Sequence, residues 1–184
     1  MAKQTIVKSD AKYKIINSAE QLMIARGIGG TSLADIASFA NFSKGTLYYY
    51  YPSKEKLILD IADLHIKRLT DMLYFWVRSI NKEWDAGNAI KQLIIAFTEN
   101  EDALKLHIML NCEAVSGNEP LRAKLNAAYR EWEVLLDVGF LKLPVCARLR
   151  SAPNLFLTML GGLCVDVLIG MEPDAGQAAA YAVE

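Results

Sequence analysis

The chain is poor in the residues that usually perform chemistry. Its 184 residues hold only two histidines, far apart in sequence, and three cysteines, Cys112, Cys146 and Cys164. An odd cysteine count without short spacings suits neither a disulfide framework nor a zinc site, so reduced thiols are expected. No Gly-rich phosphate loop follows a strand, and there is no nucleophile elbow or paired metal-ligand motif. These absences remove the common enzyme classes and leave no cofactor to expect. Strand signals, internal repeats and low-complexity tracts are also lacking, which points to an all-α fold. The longest apolar stretch, Leu155 to Ile169, is too short to span a bilayer and carries Asp166. No basic segment leads into an apolar core at the start of the chain, so a cytoplasmic protein is expected.

What the chain has in excess is apolar residues. They make up 53% of the sequence, and the mean hydropathy is +0.16. That is high for a soluble monomer, so some apolar surface should be hidden in an oligomer or line a cavity. Charge is nearly balanced overall but not along the chain. Residues 1–56 hold eight Lys/Arg against four Asp/Glu, a net +4, which leaves −5 for the remainder. A basic head on an acidic body suits a polyanion bound at one end.

Residues 1–9 are polar and unpatterned and read as a loose arm. From Asp10 to Arg26 the apolar positions Ile15, Ile16, Ala19, Leu22 and Met23 recur at helical spacing and stop at Gly27, predicting a first helix. Ser32 and Asp35 stand in capping-box register for a second helix, with Leu33, Ile36, Ala37 and Ala40 inward. Asn41 tolerates the left-handed turn that follows. Ser43 caps a third helix, kept short by Pro52, and Ser53 caps a fourth that runs from Lys54 to about Ile80. Further helical patterns cover Asn88 to Thr98, Glu101 to Val115, Glu119 to Phe140, Pro153 to Ile169 and a weak tail, Gln177 to Val183. A head of residues 1–53 and a helical body of residues 54–184 follow.

Residues 31–54 describe two short helices joined by a tight turn, the arrangement of a helix-turn-helix whose second helix enters the DNA major groove. Close approach requires slim leading residues, and Ser43, Lys44, Gly45 and Thr46 supply them. Leu47 and Tyr51 share one face and should anchor the helix inward. Four consecutive tyrosines, Tyr48 to Tyr51, could be mere packing. Because Pro52 limits the helix to two turns, however, at least two of the rings must face outward. Lys44 can reach a guanine edge, while Thr46, Tyr48, Tyr49 and Tyr50 can serve phosphates or bases. Thr31 or Ser32, together with Lys54, start flanking helices and are placed for phosphate contact.

The run from Gly27 through Thr31-Ser32-Leu33, Ile36-Ala37, Ala40 and Ser43-Lys44-Gly45-Thr46-Leu47-Tyr48 to Tyr50 and Ser53-Lys54-Glu55 with Leu57 resembles the N-terminal signature of the tetracycline-repressor (TetR) family. The resemblance covers about residues 10–60. It implies a homodimeric, ligand-responsive transcriptional repressor that grips a two-fold operator on double-stranded DNA, with a small-molecule effector pocket in the C-terminal body. Phe42 stands where the family usually has a smaller aliphatic residue, and Tyr51 where it usually has Phe.

The resemblance puts the dimer interface on Pro153 to Ile169 and part of the tail. Gly161-Gly162 inside that apolar helix agrees, since adjacent glycines there suit close approach of another backbone. Candidate effector contacts are Phe75, Trp76, Phe97, His107, Asn111, Trp132, Met159 and Asp166, with Met109, Cys112 and Tyr129 beside them. Asp166 has two uses open to it, in the pocket or paired with an arginine across the interface. An alternative keeps the DNA-binding dimer but gives the body a protein partner, or dimerisation alone.

Overall fold

The computed structural model describes residues 2–81, 84–144, 149–150 and 152–183, with side chains from residue 10 onward. The described residues form an all-helical chain: α1 (Ala2–Arg26), α2 (Leu33–Phe39), α3 (Lys44–Tyr50), α4 (Lys54–Ser79), α5 (Ala86–Thr98), α6 (Glu101–Val115), α7 (Glu119–Lys142), α8 (Pro153–Leu168) and α9 (Ala175–Val183). None of the described helices is long and apolar enough to cross a membrane. Cys146 lies outside the described residues.

Of the arm expected at residues 1–9, residues 2–9 are instead helical, because α1 begins at Ala2. No glycine or proline interrupts residues 2–26, so the turn-forming signal at Gly27 (φ +80°) is the first to end the helix. Side-chain caps also move two other starts from where periodicity puts them. Asp85 accepts from the Asn88 amide at 2.8 Å and starts α5 at Ala86 rather than Asn88. Asp174 accepts from the Gly176 and Gln177 amides and starts α9 at Ala175.

The chain divides into two compact units, residues 1–64 with 109–122, and residues 65–108 with 123–184. In the first, Ile15, Ala19, Leu22 and Met23 of α1, Ile36 and Ala37 of α2, and Leu47 of α3 are buried. Leu57, Ile58 and Ile61 are buried as well, so the core of this unit continues past Ser53 into the first turns of α4. In the second unit α5 lies under α8 and α9. Its core gathers Leu73 and Trp76 of α4, Ile90 and Leu93 of α5, Trp132, Leu136 and Phe140 of α7, and Phe156 and Leu160 of α8. Gly139 is needed there, since a Cβ at that position would meet the Trp76 ring at 2.2 Å. The indole occupies the space a side chain would take, and its Nε1–H donates to the Ala89 carbonyl at 2.9 Å.

Candidate nucleic-acid interface

The interface is built from caps and one tight turn. Ser32 and Asp35 form the capping box of α2, with the Asp35 carboxylate accepting from the Ser32 amide at 2.9 Å and Ser32 Oγ accepting from the Asp35 amide at 3.1 Å. The Ser32 hydrogen bonds hold the Asp35 carboxyl below the usual carboxylate range. Asn41 takes φ 58° between α2 and α3, the left-handed conformation that asparagine tolerates better than most side chains. Ser43 then caps α3, accepting from the Thr46 amide at 3.0 Å, and its hydroxyl also meets that of Thr46 at 2.8 Å.

The seven residues of α3 and its C-cap Tyr51 split cleanly by face. Leu47 and Tyr51 are fully buried, whereas Lys44 and Gly45 are exposed, Thr46 is half-buried, and Tyr48 and Tyr49 are 50% and 67% exposed. Tyr50 is half-buried and meets Tyr49 edge-on, with ring centroids 5.3 Å apart. Two exposed phenol rings, an ammonium and a slim leading turn therefore share one outward surface. Rings and hydroxyls on such a surface can reach base edges and phosphates, and the inward pair seats the helix on the core.

The flanking positions are less uniform. Ser32 is exposed, but Thr31 is 1% exposed and its hydroxyl donates to the Leu22 and Gly27 carbonyls at 3.3 and 2.9 Å. Thr31 ties the end of α1 to the start of α2, leaving Ser32 as the member of that pair that faces solvent. The Lys54 ammonium is half-buried and donates to the Ile28 carbonyl. Phe42 is half-buried, with the Lys14 ammonium 5.4 Å from its ring centroid.

The second unit brings only some of the predicted effector contacts together. His107 is buried at the centre of an aromatic group. Phe97 stands edge-on at 6.0 Å, Trp132 lies at 6.2 Å and Tyr129 at 6.1 Å between ring centroids. His107 Nε2 is 3.0 Å from the Tyr129 hydroxyl, and its Nδ1 is 3.1 Å from Nε2 of His65. Trp132 donates through Nε1 to the Thr70 hydroxyl at 2.8 Å. Burial pushes His107 down to about 4; burial, with the charges of His107 and then Arg68, pushes His65 down to about 3. Both imidazoles are therefore neutral at pH 7, one facing nitrogen carrying the proton and the other accepting it.

His65 was not among the residues singled out from the sequence. It sits four residues after Ile61 and four before Leu69, squarely on the apolar stripe of α4, and that register was the available signal. The other candidates lie elsewhere. Trp76 belongs to the packed core with Phe140, at 6.1 Å between ring centroids. Phe75 is 76% exposed, beside Asp71, Tyr74 and Arg78 in an open surface depression. Asn111 and Met109 are half-buried and Cys112 is exposed, all three in the first compact unit. Met159 and Asp166 are half-buried on α8.

Residues 15–61 match the family model for bacterial regulatory proteins of the tetR family. The HTH-type transcriptional regulator LmrA of Bacillus subtilis is 29% identical over 126 residues, 67% of this chain and 67% of its own length. QacR of Staphylococcus aureus, also an HTH-type transcriptional regulator, is 38% identical over 53 residues, 29% of this chain and 28% of its own length. In fold, a Saccharomonospora viridis protein crystallised in complex with choline superposes with a TM-score of 0.74 at 18% identity, over 95% of this chain and 94% of its own. The matched segment contains α2, the Asn41 turn and α3 with both caps, so the outward surface of Lys44, Tyr48 and Tyr49 stands on the helix that the family model covers. Residues 15–61 of the chain thus carry the helix-turn-helix segment of the tetR family of bacterial regulatory proteins.

Proposed function

We propose that the chain is a ligand-responsive repressor that binds a palindromic operator as a homodimer and is released by a small, largely apolar effector. The observation that carries the DNA-binding half is the split of α3, with Leu47 and Tyr51 inward and Lys44, Tyr48 and Tyr49 outward. Ser32, Ser43, Gly45, Thr46 and Tyr50 complete the contact surface, with phosphates held by hydroxyls and helix-start amides and base edges read by Lys44 and the phenols.

Support for dimerisation comes from apolar side chains left in solvent. Val134, Val138 and Leu141 are exposed at helical spacing along α7, and Leu155, Val165 and Ile169 are exposed on or next to α8. A Cβ on Gly161 or Gly162 would meet nothing within 4 Å among the described residues, which leaves that backbone open to a second copy. A two-fold pair would set the recognition helices about 34 Å apart, one turn of the duplex.

The effector reading draws on the second unit, where His107, Tyr129, Trp132 and Phe97 form an aromatic cluster with hydrogen-bonding groups at its centre. The choline held by the S. viridis protein of the same fold supports a small-molecule effector here. An effector that prefers one arrangement of the body would shift the population of DNA-competent dimers. A coupling of about 1 to 3 kcal/mol changes operator affinity by about 5- to 150-fold.

The test is selection of duplex fragments from genomic DNA by the purified protein, followed by Lys44→Ala. One bidentate base contact supplies about 1 to 3 kcal/mol of discrimination, so the variant should relax preference at one or two base pairs of each half-site by about tenfold or more. Unchanged base preference in Lys44→Ala would remove Lys44 from the readout, and failure to enrich any duplex would remove the DNA-binding reading.

A further inference from the structure

Tyr51 is the first residue after α3, and its hydroxyl reaches a carboxylate of α4 that also holds α1. The ring is fully buried, and the Tyr51 hydroxyl donates to Asp60 Oδ2 on α4 at 2.9 Å. The same carboxylate oxygen takes the Lys12 ammonium of α1 at 2.7 Å. That ammonium also stands 6.0 Å from the Tyr51 ring centroid. One oxygen of α4 therefore holds α1 by charge and the end of α3 by a charge-assisted hydrogen bond. The Asp60 side chain is 23% exposed, so solvent competes weakly for it, whereas Lys12 at 50% is the wet end of the group.

We infer that Tyr51, Asp60 and Lys12 are positioning residues for DNA recognition, setting the pitch of α3 against α4 through the Tyr51 hydroxyl rather than merely filling the core. This rests on the reading that α3 enters the groove. A phenylalanine would fill the same space but could only pack, and packing alone permits small rolls of a two-turn helix. A hydrogen bond of about 2.9 Å to a fixed carboxylate is directional and resists them. The outward side chains Lys44, Tyr48 and Tyr49 sit within seven residues of this anchor, so a roll at Tyr51 displaces all three together. Asp60 lies on α4 and α4 continues into the second unit, so the same bond also ties the recognition helix to the element that leaves the head. Burial and the Asp60 carboxylate both push the Tyr51 phenol up, which keeps its proton, and hence the bond, in place throughout the neutral range.

The experiment compares the full chain with Tyr51→Phe, Asp60→Ala and the double variant. The probe is a duplex selected by the parent from a randomised pool, beside a scrambled duplex of equal length. Circular dichroism at the assay temperature confirms that each variant is folded. Positioning predicts that Tyr51→Phe loses about tenfold in affinity for the selected duplex, the effect of one such hydrogen bond. It also predicts unchanged affinity for the scrambled duplex and an unchanged salt slope, since no phosphate contact is removed. The double variant should be no weaker than the weaker single variant, because Asp60→Ala already removes the acceptor of the Tyr51 hydroxyl. A purely structural role would lower the unfolding midpoint and leave both affinities alone, and that result overturns the inference. Should Tyr51→Phe fail to fold, Asp60→Ala, which leaves the buried ring intact and removes the acceptor, carries the same comparison. If the parent itself retains no duplex, the DNA-binding reading fails instead, so the two failures are told apart.

Discussion

Acidification from pH 7 to pH 5 should remove about 4 kcal/mol of unfolding free energy from this protein, because its two histidines are buried together as a neutral pair. In the unfolded chain each imidazole takes a proton near 6.5; in the folded chain His107 refuses it until about 4 and His65 until about 3. Below 6.5 the unfolded state therefore binds more protons than the folded one, and stability falls as pH falls. At pH 5 the difference is about 1.5 pH units for each group, or about 2 kcal/mol apiece at 1.36 kcal/mol per unit. Urea unfolding at a series of pH values measures it. The sequence contains no other histidine, so His65→Gln with His107→Gln should flatten the curve between pH 6.5 and 5. A parent whose stability is level across that window, or a double variant that keeps the slope, contradicts the assignment.

Trp132→Ala should cost about 3 to 5 kcal/mol, the usual range for deleting a buried aromatic. Trp132 is 1% exposed, packs against Tyr129 at 5.0 Å between ring centroids, and supplies the indole N–H that the Thr70 hydroxyl accepts at 2.8 Å. Its removal opens a cavity and strips Thr70 of a partner at the same time. Trp132→Phe keeps most of the volume but not the N–H, and should fall between the parent and the alanine variant. Denaturant unfolding of the three proteins ranks them. A loss below about 1 kcal/mol for Trp132→Ala would show that the cluster collapses around the gap or is already solvated.

The first unit was largely legible because its signals are local. Capping at Ser32 and Ser43, the left-handed Asn41 and the stop at Pro52 each act within a few residues, and the structure has all of them in use. The limit of two turns that Pro52 places on α3 also made the tyrosine run interpretable: Tyr51 turned in, and Tyr48 and Tyr49 out. What escaped depends on direction or on distant partners. A threonine at a helix start can face solvent or turn back to the preceding helix, and Thr31 turns back to Leu22 and Gly27. The close seat of Trp76 on Gly139 joins residues 63 positions apart, beyond any periodicity.

The effector candidates were harder for the same reason. Apolar and aromatic residues on a helical stripe look alike until tertiary packing sorts them. Of the pair Phe75 and Trp76, adjacent in sequence, one is exposed and the other is in the core. His65 was overlooked because it interrupts an apolar stripe with a polar ring, and its partner His107 comes 42 residues later. Residues 2–9 were expected to be irregular from their polarity, but polarity does not break a helix in the absence of glycine or proline.

The central claim is that the outward face of α3 is the surface that meets duplex DNA. A nuclear magnetic resonance titration of the selected duplex into isotope-labelled protein tests it residue by residue. The account predicts that the largest amide shifts fall on Ser43 to Tyr50, with Ser32 beside them, and that they saturate at one duplex per dimer. Shifts confined to other helices, with Ser43 to Tyr50 unmoved while the duplex binds, would contradict it.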